Sequence, residues 1–431
     1  MDRSRRRRPI FVFVVAILVC AAALTSLFWS CSSQRASTKS DAAQTQSAFP
    51  IGQAGLVALS QKANSFFTSA QESPDLLAIT LLRRMPLEQK VAQLFFVTPE
   101  DVVRSKTDAT VTAFGDTTKE CLSERPVGGI IYFQSNLESE DQTSEMLHEV
   151  QDWYRDTFGI PLLLGVDEEG GTVSRIGANP GFSLEDMGDM RDMGATGNTE
   201  LARQAAENVA SYLAQLGFTC NLAPVADVAD NPASDVMARR SFGADKDLVA
   251  RMVAAQVEAY SMQGITSCAK HFPGIGAATG DSHDGLIHTD KSLEELFDDE
   301  LVPFQAAIDA RVPMVMVGHI ACPGVTGDDT PASLSPTIMD ELLRNQIGFE
   351  GVIITDSLQM GAVSGDDGGS IAVRSFLAGA DALLMPSDFD AAYDAILAAC
   401  KNGEISQTRL DLSVYRIVRM KLVQQQSAAS A

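Results

Sequence analysis

Short apolar runs recur along the chain from about residue 75 onward, and each is followed by a longer stretch of amphipathic character. The runs are continuous rather than alternating in polarity, which is typical of strands that are buried on both faces. The predicted strands are Val91–Val97, Val127–Phe133, Pro161–Asp167, Phe218–Val225, Ile265–Phe272, Val312–His319, Gly351–Asp356 and Ala382–Pro386. The pattern therefore predicts an alternating β/α domain with a parallel sheet.

The stretches between these strands carry the periodicity of helices. The predicted helices are Gln142–Phe158, Glu200–Gly217, Asp245–Gly264, Leu293–Arg311, Ser335–Ile347, Gly368–Gly379, Ala391–Gly403 and a closing helix Ser406–Gln425. Gly217, Gly264 and Gly403 fall at predicted helix ends, where a left-handed cap favours glycine. Eight strand–helix units predict the α/β class and a single catalytic (β/α)8 TIM barrel, with a doubly wound open sheet as the alternative.

A barrel would bring the carboxyl ends of its strands together at one face, where active sites of this fold lie. Polar or ionisable residues stand at or just past most of the predicted strand ends, namely Asp167, Asp227, Lys270, His271, His319 and Asp356. Burial of a charged group is costly unless the group is paired. The pattern therefore indicates a functional site at this face.

The N-terminal region has the composition of a targeting segment. A basic cluster, Arg5–Arg8, precedes the apolar run Pro9–Trp29, which is long enough to span a bilayer as a helix. The basic residues predict a cytoplasmic N-terminus and an extracytoplasmic domain, anchored to the cell membrane through this segment only. Either the segment stays as a signal anchor, or it is cleaved before Cys31 and the cysteine carries a lipid. The predicted division is 1–31 for the signal, 32–74 for a polar stalk and 75–425 for the barrel.

Composition narrows the classes of function. The chain of 431 residues is 45% hydrophobic, enough for a large core, and its formal net charge of -23 disfavours nucleic-acid binding. The five cysteines after Cys31 are far apart and form no CxxC pair, so no zinc knuckle or redox motif is present. Cys220, Cys268 and Cys322 lie in apolar runs, which predicts that they are core residues. We expect a monomer without a cofactor.

Two segments carry candidate chemistry. Asp356 ends an apolar strand, where it is either a reactive carboxylate or an N-cap for the following helix. A glycine-rich stretch that starts at Lys270 contains Asp281 and His283, two positions apart. A carboxylate at this spacing can orient the imidazole and raise its pKa, which makes a proton donor usable near neutral pH. The alternative is a surface loop that contains a histidine.

A zinc site is the other alternative for this region. His271, His283, Asp284 and His288 could in principle surround a metal ion. The sequence contains neither an HxH nor an HExxH motif, which disfavours a metal-dependent hydrolase. We therefore predict no metal site.

Several motifs, taken in their order along the chain, resemble glycoside hydrolase family 3, and in particular its single-domain beta-N-acetylhexosaminidase branch. The resemblance runs from about Leu87 to Met420. Its motifs are Gly128-Gly129-Ile130-Ile131, Val166-Asp167-Glu168-Glu169-Gly170-Gly171, Ala223-Pro224-Val225-Ala226-Asp227-Val228, Arg240-Ser241-Phe242-Gly243, Lys270-His271-Phe272-Pro273-Gly274, Asp281-Ser282-His283 and Ile354-Thr355-Asp356-Ser357-Leu358-Gln359-Met360. The Asp-Ser-His motif is the part that resembles the hexosaminidase branch.

The resemblance implies a role for each matching position. Asp356 matches the nucleophile, and His283 matches the acid/base with Asp281 as its partner. The residues that match the sugar-binding positions are Asp167, Arg175, Arg240, Lys270 and His271. The resemblance thus implies a retaining mechanism with a covalent glycosyl-aspartate intermediate. We expect Lys270 and other donors to keep Asp356 ionised, and the glycines at 274, 276 and 280 to give the loop mobility.

The chain departs from the family's pattern at two places. Gly274-Ile275-Gly276-Ala277-Ala278 stands where the family usually has Gly-His-Gly-Asp-Thr, and Thr172 stands where the family usually has arginine. These changes are expected to affect how the loop packs, and therefore the rate of catalysis and the preference for a leaving group.

The expected substrate is an amino-sugar oligosaccharide or a muropeptide, from which terminal beta-linked N-acetylglucosamine is removed. A beta-glucosidase or a phosphorolytic N-acetylglucosaminidase is the alternative within the enzyme class, because a histidine acid/base would not repel incoming phosphate. A non-catalytic sugar-binding lipoprotein is the alternative from another class, since the altered loop could accompany a loss of turnover.

Overall fold

Eight short parallel strands form the centre of the computed structural model, which describes residues 73–104, 106–107, 109–229, 237–278, 285–363 and 367–431. The strands are β1 (Phe95–Val97), β2 (Gly129–Tyr132), β3 (Leu163–Val166), β4 (Cys220–Asn221), β5 (Thr266–Phe272), β6 (Met314–Val317), β7 (Val352–Thr355) and β8 (Leu383–Leu384). They are ordered β7-β6-β5-β4-β3-β2-β1-β8, and a bridge between Ile354 and Ala382 joins β7 to β8. The sheet therefore closes on itself, which confirms the predicted (β/α)8 barrel.

Helices follow every strand and cover the barrel. The α-helices of the described ranges are Pro74–Leu82, Leu87–Ala92, Pro99–Val103, Asp116–Glu124, Glu140–Phe158, Met190–Ala195, Thr199–Leu216, Lys246–Met262, Leu293–Asp298, Leu301–Asp309, Pro323–Thr326, Gly368–Ala378, Phe389–Asn402 and Gln407–Ala428. Residues Thr337–Gln346 form a π-helix, and short 3-10 helices lie at Gln134–Asn136, Ala332–Leu334 and Gly361–Val363. All residues of the eight barrel strands are buried. Burial on both faces explains why the strands appear in the sequence as continuous apolar runs.

Most predicted elements differ from the observed ones at their ends, and two differences change the type or the number of elements. Val91 and Ala92 belong to the helix Leu87–Ala92 and not to the first strand. The single helix predicted for residues 293–311 is two helices, with a break before Leu301. Pro303 in the first turn of the second helix lacks an N–H to donate, so an uninterrupted helix could not hydrogen-bond at this point.

The predicted glycine caps are confirmed by their backbone angles. Gly217, Gly264 and Gly403 have φ values of 100°, 69° and 85°, in the left-handed region that disfavours side chains. Serine, asparagine or aspartate caps several of the helices at their N-termini, as Ser139 does for Glu140–Phe158 through its contact with the Gln142 amide. These caps fix where each helix starts and ends around the barrel.

Cys220, Cys268 and Cys322 are buried and unpaired, as predicted for core residues. None of the helices in the described ranges combines the length and apolar character needed to cross a bilayer. The predicted membrane segment Pro9–Trp29 and the stalk up to residue 72 lie outside those ranges.

Candidate active site

Asp356 directly follows β7 at the carboxyl end of the barrel, and it is partly exposed. Its backbone N–H donates to the Val317 carbonyl at 2.9 Å, which continues the pairing between β6 and β7. Its carboxylate oxygen Oδ1 accepts one hydrogen bond, from the Ser357 amide at 2.8 Å. Among the described residues no hydrogen bond reaches Oδ2, so one carboxylate oxygen is left for a ligand.

The charge state of Asp356 is set by two opposing effects. Burial by itself would raise the pKa of its carboxyl. His271 and His319, the Ser357 N–H and Lys270 outweigh burial and lower the pKa below its usual value. The carboxylate is therefore ionised at neutral pH, as a nucleophile must be. The two histidines contribute more than Lys270, on which the sequence prediction relied.

His319 fixes the backbone beside Asp356. Its ring is fully buried at the end of β6, with Nδ1 2.6 Å from the Ser333 hydroxyl and Nε2 donating to the Ser357 carbonyl at 2.9 Å. Both backbone groups of Ser357 are thus hydrogen-bonded: its N–H donates to the Asp356 carboxylate, and its C=O accepts from the His319 ring. The sequence pattern placed His319 at a strand end without assigning this function.

Lys270 is the centre of a buried charge network on β5. Its ammonium lies 2.7 Å from Asp167 and 2.6 Å from Glu169, and only 2% of the residue is exposed. Arg240 binds the same Glu169 carboxylate through two hydrogen bonds of 2.8 Å. Each of these buried charges is thus paired with an opposite charge. Removal of one partner of a buried ion pair destabilises a protein by about 3–5 kcal/mol, since the other charge is left buried alone.

The ionisation of this network follows from its pairing. Burial opposes the charge on Glu169, but Arg240 and Lys270 overcome it and hold the pKa of Glu169 far below its usual range. Burial likewise opposes the charge on Lys270, and Asp167 and Glu169 raise its pKa nonetheless. Glu169 and Lys270 are therefore charged at neutral pH, and they present a fixed acceptor and a fixed donor to a polar ligand.

His271 is oriented by a second buried carboxylate. Its Nδ1 lies 2.8 Å from Asp227 Oδ2, and Nε2 lies 3.4 Å from an Arg240 nitrogen. The other Asp227 oxygen accepts the Ile275 amide at 2.7 Å. Asp227, which is fully buried, therefore joins the histidine to the start of the glycine-rich loop. The sequence pattern included Asp227 among the strand ends but gave it no function.

Arg175 lies on the turn after the hairpin formed by Glu168–Gly170 and Val173–Ser174. Its guanidinium carbon is 5.7 Å from the centre of the Phe133 ring, and its Nε is buried without a hydrogen-bond partner in the described ranges. A buried donor without a partner is unfavourable in the free protein, and an oxygen of a bound ligand would satisfy it.

Glu168, which sequence reasoning missed, organises this turn. One carboxylate oxygen accepts the Arg175 and Ile176 amides at 2.6 and 2.9 Å. The other accepts the Gly177 amide at 2.9 Å and the Tyr212 hydroxyl at 2.8 Å, and it also binds the Ser174 hydroxyl. The only signal in the sequence is the acidic pair that follows Asp167.

The structure thus brings Lys270, His271, Arg240 and Asp167 together through direct contacts, and it places the first two close enough to Asp356 to affect its pKa. Asp281 and His283 lie outside the described residues, so their predicted roles stay predictions. His288, from the zinc alternative, is exposed and lies 3.5 Å from Asp329. In the part of the chain that the structure describes, no group of three or more metal-ligating side chains occurs.

Most of the chain is similar to known proteins. Residues 86–420 match the family model described as glycosyl hydrolase family 3, N-terminal domain. Beta-hexosaminidase LpqI of Mycobacterium tuberculosis is 36% identical over 271 residues, which is 61% of this chain and 68% of that protein. Beta-hexosaminidase A of Pseudoalteromonas piscicida is 29% identical over 85% of this chain and 65% of its own length.

A solved structure is similar over most of the described domain. The family 3 beta-N-acetylglucosaminidase of a Paenibacillus species has a TM-score of 0.74 and 35% identity, over 80% of this chain and 64% of that one. The chain therefore spans less than two thirds of this protein and of the Pseudoalteromonas relative.

Proposed function

Because this chain belongs to glycosyl hydrolase family 3 by its match over residues 86–420, we propose that it is a retaining glycosidase that removes terminal beta-linked N-acetylglucosamine. The observation that carries the proposal is the environment of Asp356. Its carboxylate is ionised, accepts only one amide hydrogen bond within the described ranges, and stands beside a preassembled network of charged donors and acceptors. The names of the similar hexosaminidases support the choice of sugar.

The proposed reaction has two steps. Asp356 attacks the anomeric carbon and forms a glycosyl ester, while His283 donates a proton to the leaving oxygen. His283 then removes a proton from water, which attacks the anomeric carbon; the bond from that carbon to the Asp356 oxygen breaks, and the sugar and the Asp356 carboxylate are released. Asp281 would orient the imidazole and stabilise its protonated form. The configuration at the anomeric carbon is retained because it is inverted twice.

The charge network is suited to hold the sugar. Asp167 and Lys270 present a carboxylate and an ammonium that are already paired, and Arg175 has a buried N–H without an acceptor among the described residues. Hydroxyl groups both donate and accept, so they match a site that holds both kinds of partner. The acetamide carbonyl of the substrate is an acceptor that suits the guanidinium groups of Arg175 or Arg240.

The test is release of 4-nitrophenol from its N-acetyl-beta-glucosaminide, measured with and without phosphate. Asp356→Ala should lower kcat by about a thousandfold or more, because the nucleophile is lost. Asp309→Ala, which removes an exposed carboxylate from the helix Leu301–Asp309, should leave kcat unchanged. Added azide should restore turnover of Asp356→Ala and yield the glycosyl azide of opposite anomeric configuration.

Three outcomes would contradict the proposal or part of it. Undiminished turnover by Asp356→Ala would exclude this residue as the nucleophile. Release of 4-nitrophenol that depends on added phosphate would show that the chain is a phosphorolytic N-acetylglucosaminidase. Binding of N-acetylglucosamine in calorimetry, without turnover of any aryl glycoside, would identify the sugar-binding alternative.

For the whole chain we propose attachment to the outer face of the cell membrane and action on cell-wall or chitin-type fragments. The basic cluster Arg5–Arg8 and the apolar run Pro9–Trp29 support attachment through the N-terminal segment. The chain should sediment with membranes, and Cys31→Ser should keep it there if the segment is an anchor. Release of the variant into the soluble fraction would indicate lipid attachment instead. Sedimentation equilibrium of the detergent-solubilised chain would test the proposed monomer.

A further inference from the structure

A cavity of about 440 Å³ lies at the carboxyl end of the barrel, outside the charge network. Its lining consists of Glu100, Asp101, Arg104, Thr107, Gln359 and Ser387. The first four follow β1, Gln359 follows β7 three residues after Asp356, and Ser387 follows β8. The cavity therefore spans three consecutive strands, with β8 in the middle.

The charge network spans the three opposite strands. Asp167 follows β3, Arg240 lies in the segment after β4, and Lys270 is on β5. Along the closed sheet β8 is four strands away from β4 in either direction. The two sites thus face each other across the mouth of the barrel, and Gln359 of the second site follows Asp356 by three residues.

In the proposed reaction, a sugar held by the network has its anomeric carbon at Asp356. The part of the substrate beyond the cleaved bond then extends away from β3, β4 and β5, toward the wall formed by β7, β8 and β1. From this arrangement we propose that the cavity binds the leaving-group sugar and that Arg104 and Gln359 recognise it. This inference rests on the proposed glycosidase activity and assigns its second sugar site.

The polar side chains that line the cavity differ in how far their hydrogen-bonding groups are already used within the protein. Glu100 accepts the Val111 amide and the Asn136 side chain at 2.9 and 2.6 Å, and Asp101 is held in the capping box of Thr98. These carboxylates are part of the wall rather than free ligands.

Arg104 and Gln359 are the more available groups. Arg104 donates through Nη1 to the Ser387 carbonyl at 3.2 Å, which joins the segments after β1 and β8. Within the described residues its remaining guanidinium nitrogens and the Gln359 side-chain amide have no hydrogen-bond partner. Both side chains are exposed, and both can donate to the hydroxyl or carbonyl oxygens of a sugar.

The charges of the cavity favour a neutral leaving group. Glu100 and Asp101 supply two carboxylates against the single guanidinium of Arg104. A leaving-group sugar that carried its own carboxylate, such as N-acetylmuramic acid, would add a third negative charge. The expected leaving group is therefore a neutral sugar such as the second N-acetylglucosamine of a chitin fragment.

The experiment compares kcat/KM on N,N′-diacetylchitobiose with kcat/KM on the 4-nitrophenyl N-acetyl-beta-glucosaminide, using the full chain in detergent. The ratio of the two values should fall about tenfold in Arg104→Ala, because a hydrogen bond from a charged donor to the second sugar is lost. Gln359→Ala should lower the ratio by a smaller factor. The matched control Arg251→Ala removes an exposed arginine from the helix Lys246–Met262 and should keep the wild-type ratio.

An unchanged ratio in both cavity variants would overturn the assignment while leaving the proposed activity intact. A wild-type preference for the disaccharide that ends in N-acetylmuramic acid over N,N′-diacetylchitobiose would overturn the neutral leaving group. Failure of the wild-type chain to cleave any of these substrates would overturn the proposed function, and the second sugar site with it.

Discussion

The position of Arg175 depends on a carboxylate that does not itself face the proposed substrate. Glu168 is 1% exposed, and its two oxygens accept three consecutive backbone amides, from Arg175 to Gly177. The Tyr212 hydroxyl donates to it from the helix Thr199–Leu216. This carboxylate thus shapes the turn that carries Arg175 and ties it to an outer helix.

Glu168→Gln tests whether this function is one of positioning. Glutamine has nearly the same shape, but its amide group would place a donor against the amides that now donate to the carboxylate. We expect kcat/KM on the aryl glycoside to fall about tenfold, mainly through a higher KM, because Arg175 is displaced. Tyr212→Phe removes one hydrogen bond and leaves the backbone contacts, so its effect should be smaller.

A double-mutant cycle separates positioning from general stability. In an Arg175→Ala background, Glu168→Gln should change kcat/KM by less than about twofold, since its target is already absent. The loss of unfolding free energy from Glu168→Gln should be the same in both backgrounds. A tenfold loss of kcat/KM that persists without Arg175 would show that Glu168 acts through another group.

At the scale of elements, the segment after β5 shows what glycines do in this fold. From the sequence, the glycines at 274, 276 and 280 are expected to give the loop mobility. A Cβ on Gly276 would lie 2.1 Å from the Val228 carbonyl oxygen, and one on Gly274 would lie 2.7 Å from the Glu300 side chain. These two glycines are therefore required for close packing, while Gly280 lies outside the described residues.

Gly276→Ala should lower the free energy of unfolding by about 1–3 kcal/mol, because the added methyl group meets backbone rather than a flexible side chain. Gly285→Ala is the matched control, since a Cβ there has no neighbour within 4 Å. Urea unfolding of both variants measures the difference. Equal stability of the two would mean that the segment can move away from Val228, as a mobile loop would.

The sequence predicted the elements better than the contacts between them. Apolar runs and glycine caps are local signals, so all eight strands and most of the helices were located from them. The pairing of Glu168 with the turn after it, and of Asp227 with His271, depends on distances in the fold that no spacing encodes. The same holds for His319, whose partner Ser357 is 38 positions away.

At the scale of the whole molecule, the last helix returns to the base of the barrel and buries a lysine there. Lys421 is 2% exposed, and its ammonium donates to the Gln93 side chain at 2.9 Å. Gln93 in turn donates to the Pro126 carbonyl and to the Tyr154 hydroxyl, which lie before β2 and after it. No carboxylate is paired with Lys421 in the described ranges, in contrast to Lys270.

Burial lowers the pKa of Lys421 from its ordinary value of 10.5 to about 7. Between these two pH values the unfolded chain binds a proton that the folded chain does not. The contribution of Lys421 to the free energy of unfolding is therefore most unfavourable below pH 7 and improves as the pH rises toward 10.5. The contribution of Lys421 to the free energy of unfolding rises by at most about 1.4 kcal/mol per pH unit.

Lys421→Met should remove this part of the pH dependence. The wild-type free energy of unfolding should gain about 1–3 kcal/mol relative to the variant between pH 7 and pH 9, measured by urea unfolding with reductant present. Lys401→Met is the control, because it makes the same substitution at a lysine that is exposed, on the helix Phe389–Asn402. Parallel pH profiles for the wild-type chain and Lys421→Met would mean that the buried ammonium keeps its proton. In that case the hydrogen bond to Gln93 would be strong enough to offset burial, and the base of the barrel would hold a permanent positive charge.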